Sequence, residues 1–90
     1  MKTAKFVKDL SGFVGDAKLY KVSPWIKYGD RRETNYVVVS RVDAFYSGLE
    51  TYIFPSDEKG KVLDWGELDG SQRGNVSHED VLKSAGFIVK

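Results

Sequence analysis

One histidine, His78, and no cysteine stand among the 90 residues. Nucleophilic catalysis by a serine–histidine or cysteine–histidine pair therefore has a single base to draw on. His78 falls within Ser77-His78-Glu79-Asp80, where Ser77 and Asp80 have the spacing of a helix N-cap and its N3 partner. Those capping roles account for Ser77 and Asp80 without a triad, and they place His78 in a first helical turn, where a solvated surface position is expected.

Carboxylates form the second chemical set: Asp57, Glu58, Asp64, Glu67 and Asp69. Read as a calcium loop with Gly70 at its sixth position, the stretch would put Trp65 first and Val76 twelfth, and neither supplies the carboxylate that those positions need. Read as a glycosidase pair, the acids would need a cleft that desolvates one of them, and a small meander offers little concavity. A solvated acidic loop is the economical reading, with a small hydrolase working from the cluster as the remote alternative. Gly66, Gly70 and Gly74 recur at regular spacing but match neither the P-loop nor the dinucleotide fingerprint. No cofactor and no metal is expected.

The third set is basic and aromatic. Lys18, Lys21, Lys27, Tyr28, Arg31 and Arg32 alternate with Tyr20 and Trp25, as in surfaces that stack bases and neutralise phosphates. Tyr20 and Trp25 also read as core or core-edge residues. Net charge is only +1, but residues 1–45 hold six lysines and three arginines against five acids, whereas residues 46–90 hold four lysines and one arginine against eight acids. The halves thus differ in sign, +4 against −3. This excludes a strongly basic nucleic-acid footprint and leaves room for an acidic face that steers a basic partner.

Strands and one helix must position these groups. Residues 36–43, 50–54 and 61–65 are rich in Val, Ile, Tyr, Phe, Thr and Trp, with hairpin punctuation at Ser47-Gly48 and across residues 55–60. The first is apolar on both faces at its start, as in a central strand covered on both sides, opening to solvent by Arg41 and Asp43. The second and third read as a hairpin, with Gly60 suited to a positive φ in its loop. Residues 17–22 read as the first strand, ended by Ser23-Pro24, and residues 25–35 as a polar loop with an aromatic root. Thr3 to Ser11 carries Phe6, Val7 and Leu10 at helical spacing, ahead of Gly12, and serves equally as a short helix or an irregular arm.

The clearest local signals lie near the C-terminus. Ser77 is the N-cap, Val76 staples to Val81, and Gly86 at C′ ends the helix after Ala85, with Phe87 folding back on Leu82. Phe87-Ile88-Val89 then offers an edge strand. The expected fold is a single α+β domain over residues 1–90, an antiparallel meander of about four strands with the C-terminal helix packed on one face and a short N-terminal helix as an option.

Gly15-Asp16-Ala17-Lys18-Leu19-Tyr20, Tyr36-Val37-Val38-Val39-Ser40, Glu50-Thr51-Tyr52-Ile53-Phe54-Pro55, Trp65-Gly66-Glu67-Leu68 with Gly70-Ser71 and Gly74, and His78-Glu79 with Leu82 and Gly86 together make a scattered signature. In these motifs the chain resembles a group of small bacterial and phage-encoded proteins of unassigned function. The resemblance implies a source and no activity. Asp69 stands where that group carries proline, and residues 27–34 are more charged than in the group.

The longest aliphatic and aromatic run, residues 36–39, is far short of the roughly 20 residues of a membrane span. Charges recur near the N-terminus before an export signal could form. With no cysteine the chain suits a reducing compartment, so a cytoplasmic location is expected, in the host cell if phage-encoded. The leading expectation is a non-enzymatic accessory interaction protein, monomer or homodimer, that holds a host protein or nucleic-acid-processing machinery through Asp64, Trp65, Glu67, Asp69, Arg73 and Asn75. The alternative is a single-stranded nucleic-acid binder that uses the basic set.

Overall fold

Three consecutive valines, Val37, Val38 and Val39, are fully buried. Successive side chains on a strand point to opposite faces, so their burial requires cover on both sides of the sheet. The computed structural model describes residues 1–11, 16–44, 48–66, 72–73 and 76–90, and among these the cover is of two kinds, a helix on one face and a folded loop on the other.

The described elements are β1 (Lys2–Leu10), β2 (Asp16–Tyr28), β3 (Arg32–Ala44), β4 (Gly48–Ser56), β5 (Gln72–Arg73), α1 (His78–Ser84) and β6 (Phe87–Val89). They build one sheet in the order β5-β4-β3-β2-β1-β6. β1 to β4 form an antiparallel meander, with Tyr36 opposite both Lys21 and Ser56 and Phe6 opposite Tyr20. The valine strand is β3, inside the sheet as its apolar start requires.

The sheet is mixed, because β6 runs parallel to β1, pairing Lys2 with Phe87 and Ala4 with Val89. The helix crosses one face of the sheet and delivers the chain to the far edge, where only a parallel partner fits the direction of travel. On that face Val81 and Leu82 of α1 meet Ala4, Tyr20, Val22, Val37, Val39, Ile53 and Phe87. Complete burial of Val81 and Leu82 stabilises the docked helix by about 1.5–3 kcal/mol each. A helix of seven residues would not persist without it.

The helix ends follow the local code. Ser77 Oγ accepts from Asp80 N at 3.1 Å. Gly86 has φ of +96° and its N–H donates to Lys83 O at 3.0 Å. Lys2 Nζ reaches across from β1 to donate to Ala85 O at 3.0 Å and lies 4.5 Å from the centroid of the Phe87 ring. A cation at the helix C-terminus complements the dipole and occupies one of its free carbonyls.

On the opposite face, Ala17, Leu19 and Val38 are buried beneath Leu10, Tyr36 and Val62. This corrects the expected hairpin of residues 50–54 with 62–65. After β4 the chain makes one bridge, Ser56 with Val62, and Leu63 N donates to Pro55 O at 2.9 Å. The chain then leaves the sheet plane, because Val62 is needed over the second apolar face.

Three further expectations are corrected. Residues 3–10 are strand rather than helix or arm: pairing with β2 on one side and β6 on the other supplies the backbone bonds, and a register shift between Phe6 and Lys8 breaks the alternation in the sequence. The polar stretch 25–35 is a hairpin, with β2 continuing through Ser23-Pro24 to Tyr28 and turning over residues 29–31 into β3. The turn uses positive φ at Gly29 and at Arg31, 57° and 62°. Trp25 is not at the core edge but 60 % exposed, because it lies in the part of β2 between Lys21 and Ile26 where the register with β3 shifts.

Candidate functional site

The segment after β4 is fixed to the fold at several points. Asp57 Oδ1 accepts from Lys59 N and Lys61 N, both at 2.9 Å, and Asp57 N donates to Lys61 O at 3.0 Å. The backbone amide of Lys61 holds the Asp57 carboxyl below its ordinary value, against burial, which pushes it up, and the amide of Lys59 adds to the lowering. Gly60, with φ of +89°, sits directly on Leu10 of β1.

Asp64 and Trp65 follow. Asp64 Oδ1 accepts from Gly66 N at 2.8 Å, and a β-carbon on Gly29 would lie 3.4 Å from Asp64 Oδ2, so this loop meets the tip of the β2–β3 hairpin. Trp65 is 67 % exposed. Its ring meets Phe54 edge-on at 5.3 Å between centroids, and Phe54 in turn lies 5.9 Å from Tyr52. The Tyr52 hydroxyl donates to the buried Glu50 carboxylate. A row of rings therefore runs up one side of β4 and ends in an exposed tryptophan, with Leu63 also exposed.

Of the acidic binding set, the structure brings Asp64 and Trp65 together on this loop and places Arg73 in β5 opposite Glu50. Glu67, Asp69 and Asn75 lie outside the described residues, as does the rest of the glycine-punctuated stretch 67–71. Asp57 and Asp64 spend carboxylate oxygens on their own loop's amides, and Asp57 is held ionised, the reverse of what a general acid needs. Among the described residues no three acids or histidines are grouped to hold a metal ion.

His78 is the clearest correction at the level of a side chain. It is buried, with Nε2 at 2.9 Å from the backbone oxygen of Asp16 and 3.8 Å from Asp16 Oδ2. The docked helix aims its first turn at the start of β2, so the imidazole ties α1 to the sheet. That contact spans 62 residues of sequence, and no local signal announces it.

The basic set is divided by the sheet. Lys18 lies on the helix-bearing face, its Nζ 2.5 Å from Asp9 Oδ1 and 5.4 Å from the Phe6 ring centroid. The hydrogen bond to Asp9 pushes its pKa up. Lys21, three residues along the same strand, points to the other face. There it stands directly opposite Lys5 of β1, a residue that no sequence signal marks because β1 itself is not legible as a strand. Lys27, Arg31 and Arg32, with Glu33, line an open cleft of about 520 Å³ at the hairpin tip. Tyr28 is half-buried beside them.

No helix among the described residues is long and apolar enough to cross a membrane. Comparison with protein-family models, with curated proteins and with solved structures gives no match.

Proposed function

We propose that this chain is a non-enzymatic accessory protein that binds a protein partner, a host protein or a component of nucleic-acid-processing machinery, through the loop after β4. The observation that carries the reading is Trp65, 67 % exposed at the end of a ring row and held edge-on against Phe54 at 5.3 Å. A tryptophan already ordered by the fold loses little freedom when a partner covers it, and such anchors are where binding energy concentrates. Asp64, tied to Gly66 N, adds a fixed carboxylate beside the ring and favours a partner with a basic rim.

Capture from host lysate on immobilised protein tests this. Wild type retains a defined set of proteins, and Trp65→Ala loses it while keeping the wild-type melting temperature within a few degrees. Replacing Asp64, Glu67 and Asp69 by their amides slows association more than it speeds release. Equal capture by wild type and Trp65→Ala, or no specific capture by wild type, rejects the reading.

A further inference from the structure

We infer that residues 57–66 form a strap that lifts as one unit off the sheet face opposite α1 while the sheet and α1 stay folded. Seated, the strap presents the Trp65 surface; lifted, it withdraws it. The lifting is a property of the fold, and its use as a switch rests on the protein-partner reading.

The first observation is how the bonds of the strap are distributed. Asp57 Oδ1 accepts from Lys59 N and Lys61 N, Asp57 N donates to Lys61 O, and Gly60 N donates to Asp57 O at 3.1 Å. Asp64 Oδ1 accepts from Gly66 N. All of these lie within the strap and survive its displacement. Over residues 57–64 the backbone ties to the sheet are the bridge of Val62 with Ser56 and the bond from Leu63 N to Pro55 O, both to β4, from which the strap departs. Toward β2 and β1 it rests on side chains: Val62 packs over Ala17, Leu19 and Val38, and Gly60 sits on Leu10. A segment bonded to itself and held to the body by apolar contact moves as a lid rather than by unravelling.

The second observation is that the two faces are unequally covered. Helix α1 inserts Val81 and Leu82, both fully buried, among Tyr20, Val22, Val37, Val39 and Ile53. The strap inserts no fully buried side chain, and its apolar contribution to the second cluster is the half-buried Val62. Lifting the strap therefore removes less apolar contact than undocking α1, and local opening follows the less costly unit.

The third observation is that Trp65 travels with the strap, whereas Phe54, which holds its ring edge-on at 5.3 Å, belongs to β4. Lifting separates the two rings. A partner that recognises Trp65 in this setting binds the seated strap alone and shifts the equilibrium toward it.

The chain has no cysteine, so single cysteines read the opening directly. Val38 and Val39 are neighbours, both fully buried, one beneath the strap and the other beneath α1. A cysteine behaves as a small apolar side chain at either site. Val38→Cys and Val39→Cys are labelled in the native state with an aromatic disulfide reagent, and each rate is compared with that variant's own global stability from urea unfolding. Val38→Cys reacts at least about tenfold faster than global unfolding allows, with little dependence on urea because little surface is exposed, whereas Val39→Cys reacts only through global unfolding. Ala17→Cys, beneath the strap on β2, shares the opening equilibrium of Val38→Cys and stands in for it if that variant does not fold. Trp65→Ala speeds the labelling of Val38→Cys and leaves that of Val39→Cys unchanged. Labelling of Val38→Cys or its stand-in through global unfolding alone, unequal opening at the two sites beneath the strap, or no effect of Trp65→Ala overturns the proposal. The measurements use the protein by itself, so failure of the protein-partner reading leaves them readable.

Discussion

Gly60 lies so close to Leu10 that a β-carbon on the glycine would fall 2.6 Å from Leu10 Cδ2 and 3.2 Å from Cδ1. The contact joins the loop after β4 to β1, two segments at opposite sides of the sheet, and closes the apolar pocket over Ala17, Leu19 and Val38. Gly60→Ala meets two costs. The left-handed backbone, φ +89°, opposes any side chain by about 1–2 kcal/mol, and displacing Leu10 from its rotamer adds about 1 kcal/mol. Urea denaturation of Gly60→Ala, Leu10→Ala and the double variant separates them: in the Leu10→Ala background the glycine substitution costs only the backbone share. Full additivity would show that the contact is loose.

Thr51 is fully buried and its Oγ1 donates to Val76 O at 3.0 Å, tying β4 to the chain that enters α1. Thr51→Val keeps the shape and removes the donor, leaving the Val76 carbonyl without it. The expected loss is about 1–2 kcal/mol, or a fall in melting temperature of about 4–8 °C per kcal/mol for a domain of this size. Amide hydrogen exchange in α1 accelerates more than in β2, because the lost tie belongs to the helix entrance. Uniform acceleration across the sheet would contradict this.

Asp57 has its pKa lowered by the amides of Lys61 and Lys59. A carboxyl that is more acidic folded than unfolded contributes stability above its ordinary value of 3.8, and that contribution disappears as pH falls through the folded value. Asp57→Asn therefore lowers stability at pH 7 and makes the acid limb of the stability curve shallower below about pH 4. Parallel curves for the two proteins down to pH 2 would remove Asp57 from the account.

Tyr20 has its phenol pushed up by burial, with the Glu79 carboxylate adding to the effect. Raised on folding, this group adds stability that is intact below the ordinary value of 10.0 and fades as the unfolded state ionises above it. In a spectrophotometric titration the Tyr20 phenol ionises late and together with loss of far-ultraviolet ellipticity. Tyr20→Phe abolishes that late step. A non-cooperative late step, uncoupled from unfolding, would indicate that Tyr20 is reached by solvent in the folded state.

What the sequence by itself determined is local in origin. The Ser77 cap and the Gly86 exit are set by bonds within a few residues, and the structure shows both. The doubly apolar run at Val37 to Val39 needs an interior strand whatever surrounds it, and β3 is one. Of the candidate site, the sequence marked Asp64 and Trp65 by residue type but read them as the end of a strand, where the structure has a loop.

Tertiary structure decided the rest, because the deciding interactions join residues far apart in the chain. β1 is a strand since β2 and β6 pair with it on either side, which outweighs the helical spacing of Phe6, Val7 and Leu10. The hairpin over residues 27–34 is held by backbone pairing, to which its polar side chains give no clue. Residues 63–66 are not strand because Val62 is drawn over the second apolar face, and His78 is buried because the docked helix meets Asp16. The opposition of Lys5 and Lys21 arises the same way. Each lysine is unremarkable in the sequence, and only the β1–β2 register, fixed by which side chains must face the core, sets the two charges against each other.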